Sequence, residues 1–179
     1  ISTVGFGEIK PLSPIGRLFT IGLIFSGGGL VAYTLSGVAT FLLSGDWRAN
    51  WEHKRRLHML EQLSNHIIVC GYGRVGRHVA HELKAEGLSF VVIDPNPEKI
   101  AHIREDGYLT LHGKASSESE LKEAEIDRAR GLVAAANSDA ENVFIVLTAR
   151  SMRKDLLIVA RANYEESESK LLRAGANRL

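Results

Sequence analysis

The pattern of apolar and polar positions divides the chain into one long apolar segment and a region in which short apolar runs alternate with polar ones. No charged residue occurs from Leu18 to Leu43, and a helix needs about 20 mainly apolar residues to cross a bilayer core. Pro14 suits the first turn of such a helix, where its missing N–H costs no hydrogen bond. We therefore predict a membrane-spanning helix over residues 14–44, because a core helix of this length rarely lacks charges.

The flanks of this helix predict its orientation. The segment that follows it is rich in basic residues, namely Arg48, Lys54, Arg55 and Arg56. The segment that precedes it carries only Lys10 and Arg17 against Glu8. Since basic flanks lie on the cytoplasmic side of a membrane, we expect the chain after the helix to be cytoplasmic, with Trp47 and Trp51 at the inner interface.

Small residues recur within the predicted helix. A stripe with a spacing of four consists of Gly28, Ala32, Ser36 and Thr40, and such stripes permit close helix packing or face a water-filled cavity. The three successive glycines Gly27, Gly28 and Gly29 are unfavourable, since each costs about 1 kcal/mol in a helix in water. The run is therefore either a packing contact or a hinge at which the helix bends.

The region after the helix has a different periodicity. Residues 45–65 are predicted to be a polar linker with a helical stretch, indicated by its leucines Leu57, Leu60 and Leu63. Beyond the linker, five apolar runs alternate with segments of helical period: HIIVC, SFVVID, GYLTLHG, GLVAAA and LLIVARA. Strands that alternate with helices indicate βαβ units and a parallel sheet. We therefore predict an α/β Rossmann-like domain over residues 66–179.

The first strand-to-helix turn of this domain contains a phosphate-binding pattern. Its GxGxxG glycines are Gly71, Gly73 and Gly76. A pyrophosphate is expected on the N–H groups that follow Gly73, those of Arg74 and Val75, at the start of the helix. Asp94 ends the second strand, near the spacing at which an acid accepts hydrogen bonds from ribose hydroxyls. The pattern predicts a nucleotide site.

The residues around Asp94 predict which nucleotide binds. An acid at this position favours a free 2′-hydroxyl, and therefore NAD(H) or ATP, ADP or AMP over NADP(H). The residues after it, Pro95, Asn96 and Pro97, offer no basic partner for a 2′-phosphate. Arg74 is expected to reach the phosphates, whereas Arg77 is equally well explained as a solvated residue of the helix surface.

The first residues of the chain, ISTVGFG, suit a row of backbone carbonyls. Glycines at alternate positions adopt backbone angles that other residues avoid, so that successive carbonyls can point the same way. Such a row replaces the hydration shell of a potassium ion, and irregular backbone at membrane depth is tolerated only where it is buried in protein or lines a water-filled cavity. The residues assigned to this filter are Thr3, Val4, Gly5, Phe6 and Gly7.

The two parts of the chain resemble two known families. TVGFG resembles the selectivity filter of potassium channels, with Phe where Tyr is commoner, and GEIKPLSPIGRLFTI resembles the loop and inner helix that follow it. Residues 66–179 resemble the RCK domain (regulator of potassium conductance) in segments such as HIIVCGYGRVG, FVVID and VARAN. One departure is Lys114, which stands where the family usually has an acid, so a ligand contact made by that acid is lost or replaced.

The resemblance implies a potassium channel subunit with the filter and outer loop in residues 1–13, the inner helix in 14–44 and the RCK N-lobe in 66–179. It implies a homotetramer around the pore, RCK–RCK dimers or a ring, and a multi-pass protein in the lipid bilayer of the cell membrane. Nucleotide binding to the cytoplasmic RCK domain would gate potassium conduction, with the glycine run as gating hinge. The net charge of +1 gives no indication of a nucleic-acid partner.

Other functions and sites are less well supported by the sequence. No catalytic set is apparent, so we do not expect an enzyme. The alternatives are a membrane-tethered NAD-dependent oxidoreductase and a potassium transporter or antiporter with the same regulatory domain. Neither would be expected to contain TVGFG. No metal site is predicted, since the acidic run around Glu120 is interpreted as a solvated helix face. The single cysteine, Cys70, is expected in the core, and His53, His58 and His66 at the surface or in the linker.

Met59 leaves one alternative open. It is interpreted as an ordinary linker methionine, and the alternative is an internal start of translation. A product that began there would be a soluble regulatory domain without the membrane helix.

Overall fold

The computed structural model describes residues 13–43 and 58–179. The chain divides into two compact units, Ile1–Glu52 and His53–Leu179. The predicted filter, most of its outer loop and the larger part of the predicted linker lie outside the described residues.

The first unit contains a single long helix in its described part. This helix, α1, spans Pro14–Leu43 and has 30 residues. Its start is capped by Ser13, whose hydroxyl accepts a hydrogen bond from the Gly16 N–H at 3.2 Å. Among the described residues, the segment Pro14–Ser36 is long and apolar enough to cross a membrane, and its large apolar side chains are exposed.

The second unit is built on a five-stranded parallel sheet. Its strands, in chain order, are β1 (Ile67–Cys70), β2 (Phe90–Asp94), β3 (Leu109–His112), β4 (Gly131–Ala134) and β5 (Leu157–Ala160). The spatial order is β3-β2-β1-β4-β5. The order reverses at β1, whose last residue, Cys70, pairs with Ile93 of β2 on one side and Ala134 of β4 on the other. This is the strand order of a Rossmann-like half, and ligands bind such sheets at the carboxyl ends of the strands where the order reverses.

Five helices connect and cover the strands: α2 (Arg74–Ala85), α3 (Pro97–Glu105), α4 (Glu118–Glu123), α5 (Asp139–Met152) and α6 (Glu165–Ala174). A 3₁₀ turn at Ile126–Arg128 lies between α4 and β4. The predicted fold class, an apolar helix followed by a parallel-sheet α/β domain, is confirmed.

The strands bury side chains on both faces of the sheet. Along β1, Ile68 and Cys70 pack into one hydrophobic cluster and Val69 into the other, as the alternation of side chains along a strand requires. Leu60 and Leu63 are buried in the same cluster as Ile68. The segment that leads into β1 is therefore packed onto the domain.

The interpretation of His66 as a surface or linker residue is wrong, because its side chain is 0% exposed. The ring can be buried because its Nε2–H donates a hydrogen bond to the Ala124 carbonyl at 2.8 Å. Cys70 is in the core as expected, and burial raises the pKa of its thiol. His58 lies on a helical turn at the surface.

Candidate functional site

The glycine turn between β1 and α2 brings two backbone segments too close together for side chains. Gly71 has a φ of +96°, and a Cβ there would lie 2.9 Å from the Ala135 carbonyl oxygen of the β4–α5 loop. A Cβ on Gly76 would collide with the carbonyl oxygen of Gly71. These two glycines therefore allow α2 to start directly against the sheet, which is the structural requirement of the GxGxxG pattern.

The middle glycine of the pattern, Gly73, lies at the start of α2 and precedes its first residue, Arg74. A Cβ on Gly73 would lie 2.8 Å from the Asn137 Oδ1 atom across the cleft. The first N–H groups of a helix have no carbonyl partner within the helix, and they attract anions. Arg74 and Val75 supply these first N–H groups, as the sequence predicted.

The carboxylate of Asp94 lies opposite this helix start and is 2% exposed. Its Oδ2 atom accepts a hydrogen bond from the Tyr72 N–H of the glycine turn at 2.7 Å. Its Oδ1 atom accepts one from the Asn96 N–H at 2.9 Å. The two backbone donors hold the carboxylate at the carboxyl end of β2, where the ribose of a bound nucleotide is expected.

A lysine also contacts this carboxylate, contrary to the expectation that Asp94 has no basic neighbour. The Nζ atom of Lys99 lies 3.2 Å from Oδ2 of Asp94. The side chain of Asn96 caps α3 by accepting hydrogen bonds from Glu98 N–H at 2.8 Å and Lys99 N–H at 3.3 Å. The chain therefore turns back, and the third residue of α3 faces the acid. A 2′-phosphate beside Asp94 would therefore meet the positive charge of Lys99, and the expectation that it finds no basic partner is wrong.

Two adjoining cavities open at this edge of the sheet. The smaller, of about 110 Å³, is lined by Gly71, Gly73, Asp94 and Lys99, among others. The larger, of about 950 Å³, extends past Arg74 toward residues that follow β4 and β5. Gly73, Lys99 and Asn137 line both. The structure thus brings Gly71, Gly73, Arg74 and Asp94 together around one cleft, whereas Gly76 is not among the residues that line it.

Side chains that the sequence analysis missed shape the far wall of this cleft. The buried side chain of Asn142 accepts a hydrogen bond from the Ala136 N–H at 2.9 Å and donates one to the Arg161 carbonyl at 2.9 Å. Arg161 and Asn163, which follow β5, line the larger cavity. These residues come from distant parts of the sequence, and no local motif marks them.

Asp139, at the start of α5, fixes the position of the chain after β5. Its carboxylate accepts hydrogen bonds from the N–H groups of Asn163 at 2.8 Å and Tyr164 at 3.1 Å. Burial acts to raise the pKa of Asp139, but its hydrogen bonds to Asn163, Ser167 and Tyr164 outweigh that effect and lower the pKa. Asp139 is therefore a charged residue that holds the backbone of Asn163 and Tyr164 in place at the wall of the cleft.

Two further residues, Arg77 and Lys114, and the acidic residues of the α4 region have defined positions. Arg77 is exposed and lines a cavity of about 340 Å³ beside the glycine turn, together with Tyr72 and Lys99. Lys114 is exposed after β3, and it is not among the residues that line the two adjoining cavities. The acidic residues of the α4 region form no candidate metal site within residues 13–43 and 58–179.

The glycine run of the first unit lies within the continuous helix α1. In the part of the chain that the structure describes, no atom lies within 4 Å of a Cβ placed on Gly27, Gly28 or Gly29. Neither the hinge nor the packing interpretation is tested by this geometry. The filter residues, Thr3 to Gly7, are outside the described residues.

Comparisons with known proteins give matches to both parts of the chain. Residues 67–179 match the TrkA-N domain family, and residues 1–44 match the ion channel family. Potassium channel protein 1 of Methanocaldococcus jannaschii is 38% identical over 180 residues, which is 99% of this chain and 54% of that protein. The chain thus spans about half the length of this relative.

Solved structures show the same arrangement of the second unit. The GsuK channel bound to NAD is similar with a TM-score of 0.62 and 26% identity, over 99% of this chain and 32% of that one. The same channel bound to ADP also has a TM-score of 0.62 and 26% identity, over 99% of this chain and 47% of that one. The TrkA-N domain of the inner membrane protein YbaL from Escherichia coli has a TM-score of 0.62 and 31% identity, over 65% of this chain and 87% of that one.

Proposed function

This chain belongs to the TrkA-N domain family, and from that premise we propose that it is part of a potassium-selective channel subunit whose RCK-type domain binds a regulatory nucleotide. The match of residues 1–44 to the ion channel family supports the pore. The 38% identity to an archaeal potassium channel protein extends over both parts of the chain.

The nucleotide site is supported above all by the buried carboxylate of Asp94 facing the start of α2 across a cleft. The carboxylate is held by the Tyr72 and Asn96 N–H groups at 2.7 Å and 2.9 Å. An acid in this position accepts hydrogen bonds from ribose hydroxyls, and the N–H groups at the helix start donate hydrogen bonds to phosphates. Because a similar channel is bound to NAD in one structure and to ADP in another, we assign NAD(H) or ATP, ADP or AMP as the ligand.

The pore is formed by residues 1–13 as filter and outer loop and by residues 14–44 as inner helix, with potassium as the conducted ion. The apolar segment of α1 and the TVGFG sequence support this assignment. Four copies surround the filter, because the carbonyl rings of a potassium filter are built from four such loops. The RCK domains associate as dimers or a ring. The subunit lies in the cell membrane, with residues 45–65 as linker and the RCK N-lobe, residues 66–179, in the cytoplasm.

Gating follows if the nucleotide has different affinities for the closed and open states. A ligand with equal affinity for both states shifts nothing. The segment before β1 is well placed to follow the domain, since Leu60 and Leu63 are buried in its core and the Asn65 N–H donates to the Arg128 carbonyl at 2.9 Å. A movement of the domain therefore moves this segment as well.

A transporter with the same regulatory domain is the main alternative. YbaL, whose TrkA-N domain is similar, is an inner membrane protein, but the similarity covers 65% of this chain. The ion channel match covers residues 1–44, which supports a channel rather than a transporter for the membrane part. An oxidoreductase has less support, since a relative that matches 99% of this chain is named a potassium channel protein.

Reversal potentials test the proposed pore. We expect the full-length protein, reconstituted in bilayers, to give a reversal potential that follows the potassium gradient and not the sodium gradient. Gly5→Ala should abolish current or selectivity, because alanine does not adopt glycine-only backbone angles without strain.

Gly22→Ala is the matched control for the pore test. This glycine lies within α1 with no atom of the described chain within 4 Å of a Cβ placed on it, so selectivity should be unchanged. Equal permeability of the unmodified protein to sodium and potassium would contradict the proposed pore.

A further inference from the structure

Lys99 lies where the cavities beside the glycine turn meet. Its Nζ atom is 3.2 Å from Oδ2 of Asp94, and its side chain is 35% exposed whereas that of Asp94 is 3% exposed. Lys99 lines the small cavity at the carboxylate and the large cavity that continues past Arg74 and Arg161. One flexible cation therefore borders both the ribose position and the space beyond the helix start.

The carboxylate of Asp94 already accepts hydrogen bonds from three donors, of which Lys99 is one. The other two donors to the carboxylate are the N–H groups of Tyr72 and Asn96, which are fixed by the glycine turn and by the cap of α3. Lysine is the donor with a long rotatable side chain. Of the three groups, Lys99 is the one that ribose hydroxyls can displace without unfolding the turn.

Displacing the lysine separates a largely buried carboxylate from its cation, which is unfavourable. A new partner for the lysine offsets part of this cost. The ligand supplies one if it carries phosphates. The phosphates lie at the start of α2, and Gly73 and Arg74 from that start line the large cavity together with Lys99. Ribose hydroxyls then compensate Asp94, and the phosphates compensate Lys99.

We propose that Lys99 exchanges partners on ligand binding, from the carboxylate of Asp94 to the phosphates of the nucleotide. This inference rests on the proposed nucleotide site and identifies the residue that makes the site select phosphorylated ligands. A nucleoside displaces the lysine and leaves it without a partner, whereas a nucleoside diphosphate or a dinucleotide replaces the partner that it removes. Lys99 thus increases the affinity for ADP and opposes the binding of adenosine.

The ratio of two affinities measures this exchange. We would determine the Kd of ADP and of adenosine for the full-length protein in detergent, by displacement of a fluorescent ADP analogue. Lys99→Gln should lower the preference for ADP over adenosine about tenfold, the lower end of what a hydrogen bond from the lysine to a phosphate contributes. Adenosine binding should be equal to or tighter than that of the unmodified protein.

Two further variants serve as controls. Lys99→Arg keeps the charge and should keep the preference for ADP within about threefold, because both cations form charge-assisted hydrogen bonds to carboxylates and phosphates. Lys122→Gln removes the same charge from the exposed face of α4, and it should leave both affinities unchanged. Thermal unfolding of each variant confirms that it is folded.

The outcomes separate this inference from the proposed function. If Lys99→Gln changes the affinities for adenosine and ADP by the same factor, so that the preference for ADP is unchanged, the partner exchange is wrong while the nucleotide site stands. If the unmodified protein binds neither ADP nor NAD(H), the proposed nucleotide site is wrong and the exchange with it.

Discussion

His66 is a buried side chain whose hydrogen bonding is incomplete. Its Nε2–H donates to the Ala124 carbonyl, but its Nδ1 atom has no hydrogen-bond partner among the described residues. Burial lowers the pKa of His66; the hydrogen bond to Ala124 opposes this, Arg128 lowers the pKa further and Glu125 raises it. The ring is therefore neutral in the folded domain at neutral pH.

The unpaired ring nitrogen predicts an acid-sensitive domain. Since the folded-state pKa lies below the ordinary 6.5, the folded protein binds fewer protons than the unfolded protein, and the free energy of unfolding rises with pH. The stabilisation is complete above pH 6.5 and is lost progressively as the pH falls toward the lower folded-state pKa. Urea unfolding between pH 5 and 7.5 should show this loss.

His66→Gln tests the assignment, because glutamine retains an N–H donor for Ala124 and does not titrate. The variant should show a smaller dependence of stability on pH than the unmodified protein. His58→Gln removes a histidine that is 70% exposed, and should leave the dependence intact. An unchanged dependence in His66→Gln would assign the acid sensitivity to another group.

At the scale of elements, the continuous helix α1 includes four glycines, Gly22, Gly27, Gly28 and Gly29, at which an added Cβ would meet no atom of the described chain beyond the neighbouring backbone of the helix. Alanine fits sterically at Gly22 and Gly28, since no atom of that part lies within 4 Å of either Cβ. Each replacement should favour the helical backbone by about 1 kcal/mol. The two positions differ in that Gly28 lies in the glycine run and Gly22 lies one and a half turns before it.

If the run acts as a hinge, Gly28→Ala will change the open probability of the channel several-fold and leave ion selectivity intact. Gly22→Ala provides the same gain in helix propensity outside the run and should have little effect on gating. Single-channel recording of both variants compares them directly. An equal effect of the two variants, or no effect of Gly28→Ala, would assign the run to helix packing.

For the whole molecule, the proposal predicts that regulation and selectivity can be separated by mutation. Asp94→Asn should weaken ADP or NAD(H) binding about ten- to a hundredfold, as expected for the loss of a charged hydrogen-bond acceptor. The same variant should lose the response of the channel to nucleotide at concentrations that regulate the unmodified protein, and should retain potassium selectivity. Asparagine is preferred to alanine because its single side-chain oxygen keeps an acceptor for one of the two N–H groups, Tyr72 or Asn96, which bond to different oxygens of the carboxylate.

Asp155→Asn is the control for this experiment, as Asp155 is an exposed acid paired with Arg153 at 3.3 Å, and its replacement should leave the nucleotide response unchanged. Bilayer recordings with and without ADP, together with binding measurements, give both quantities. A normal nucleotide response in Asp94→Asn would show that the carboxylate does not hold the ribose. A loss of selectivity in that variant would contradict the separation of the two functions.

The periodicity of the sequence by itself determined the fold class. A charge-free run of sufficient length indicates one long apolar helix, and short apolar runs between amphipathic segments indicate strands of a parallel sheet. The glycine spacing and Asp94 identified the predicted cleft, because a strand-to-helix turn and the next strand end are brought together in every βαβ unit of this type. These features depend on local sequence and on the general rules of right-handed connections.

Only the tertiary structure decided which side chains complete or contradict those assignments. His66 is buried because it packs near Ala124, 58 positions away, and Arg161 reaches the cleft because β5 lies beside β4. Lys99 meets Asp94 because the cap at Asn96 starts α3 directly after β2, and the first turn of that helix places the lysine beside the carboxylate. Contacts of this kind depend on how elements pack and where a cap directs the chain, and hydrophobic periodicity carries no information about either.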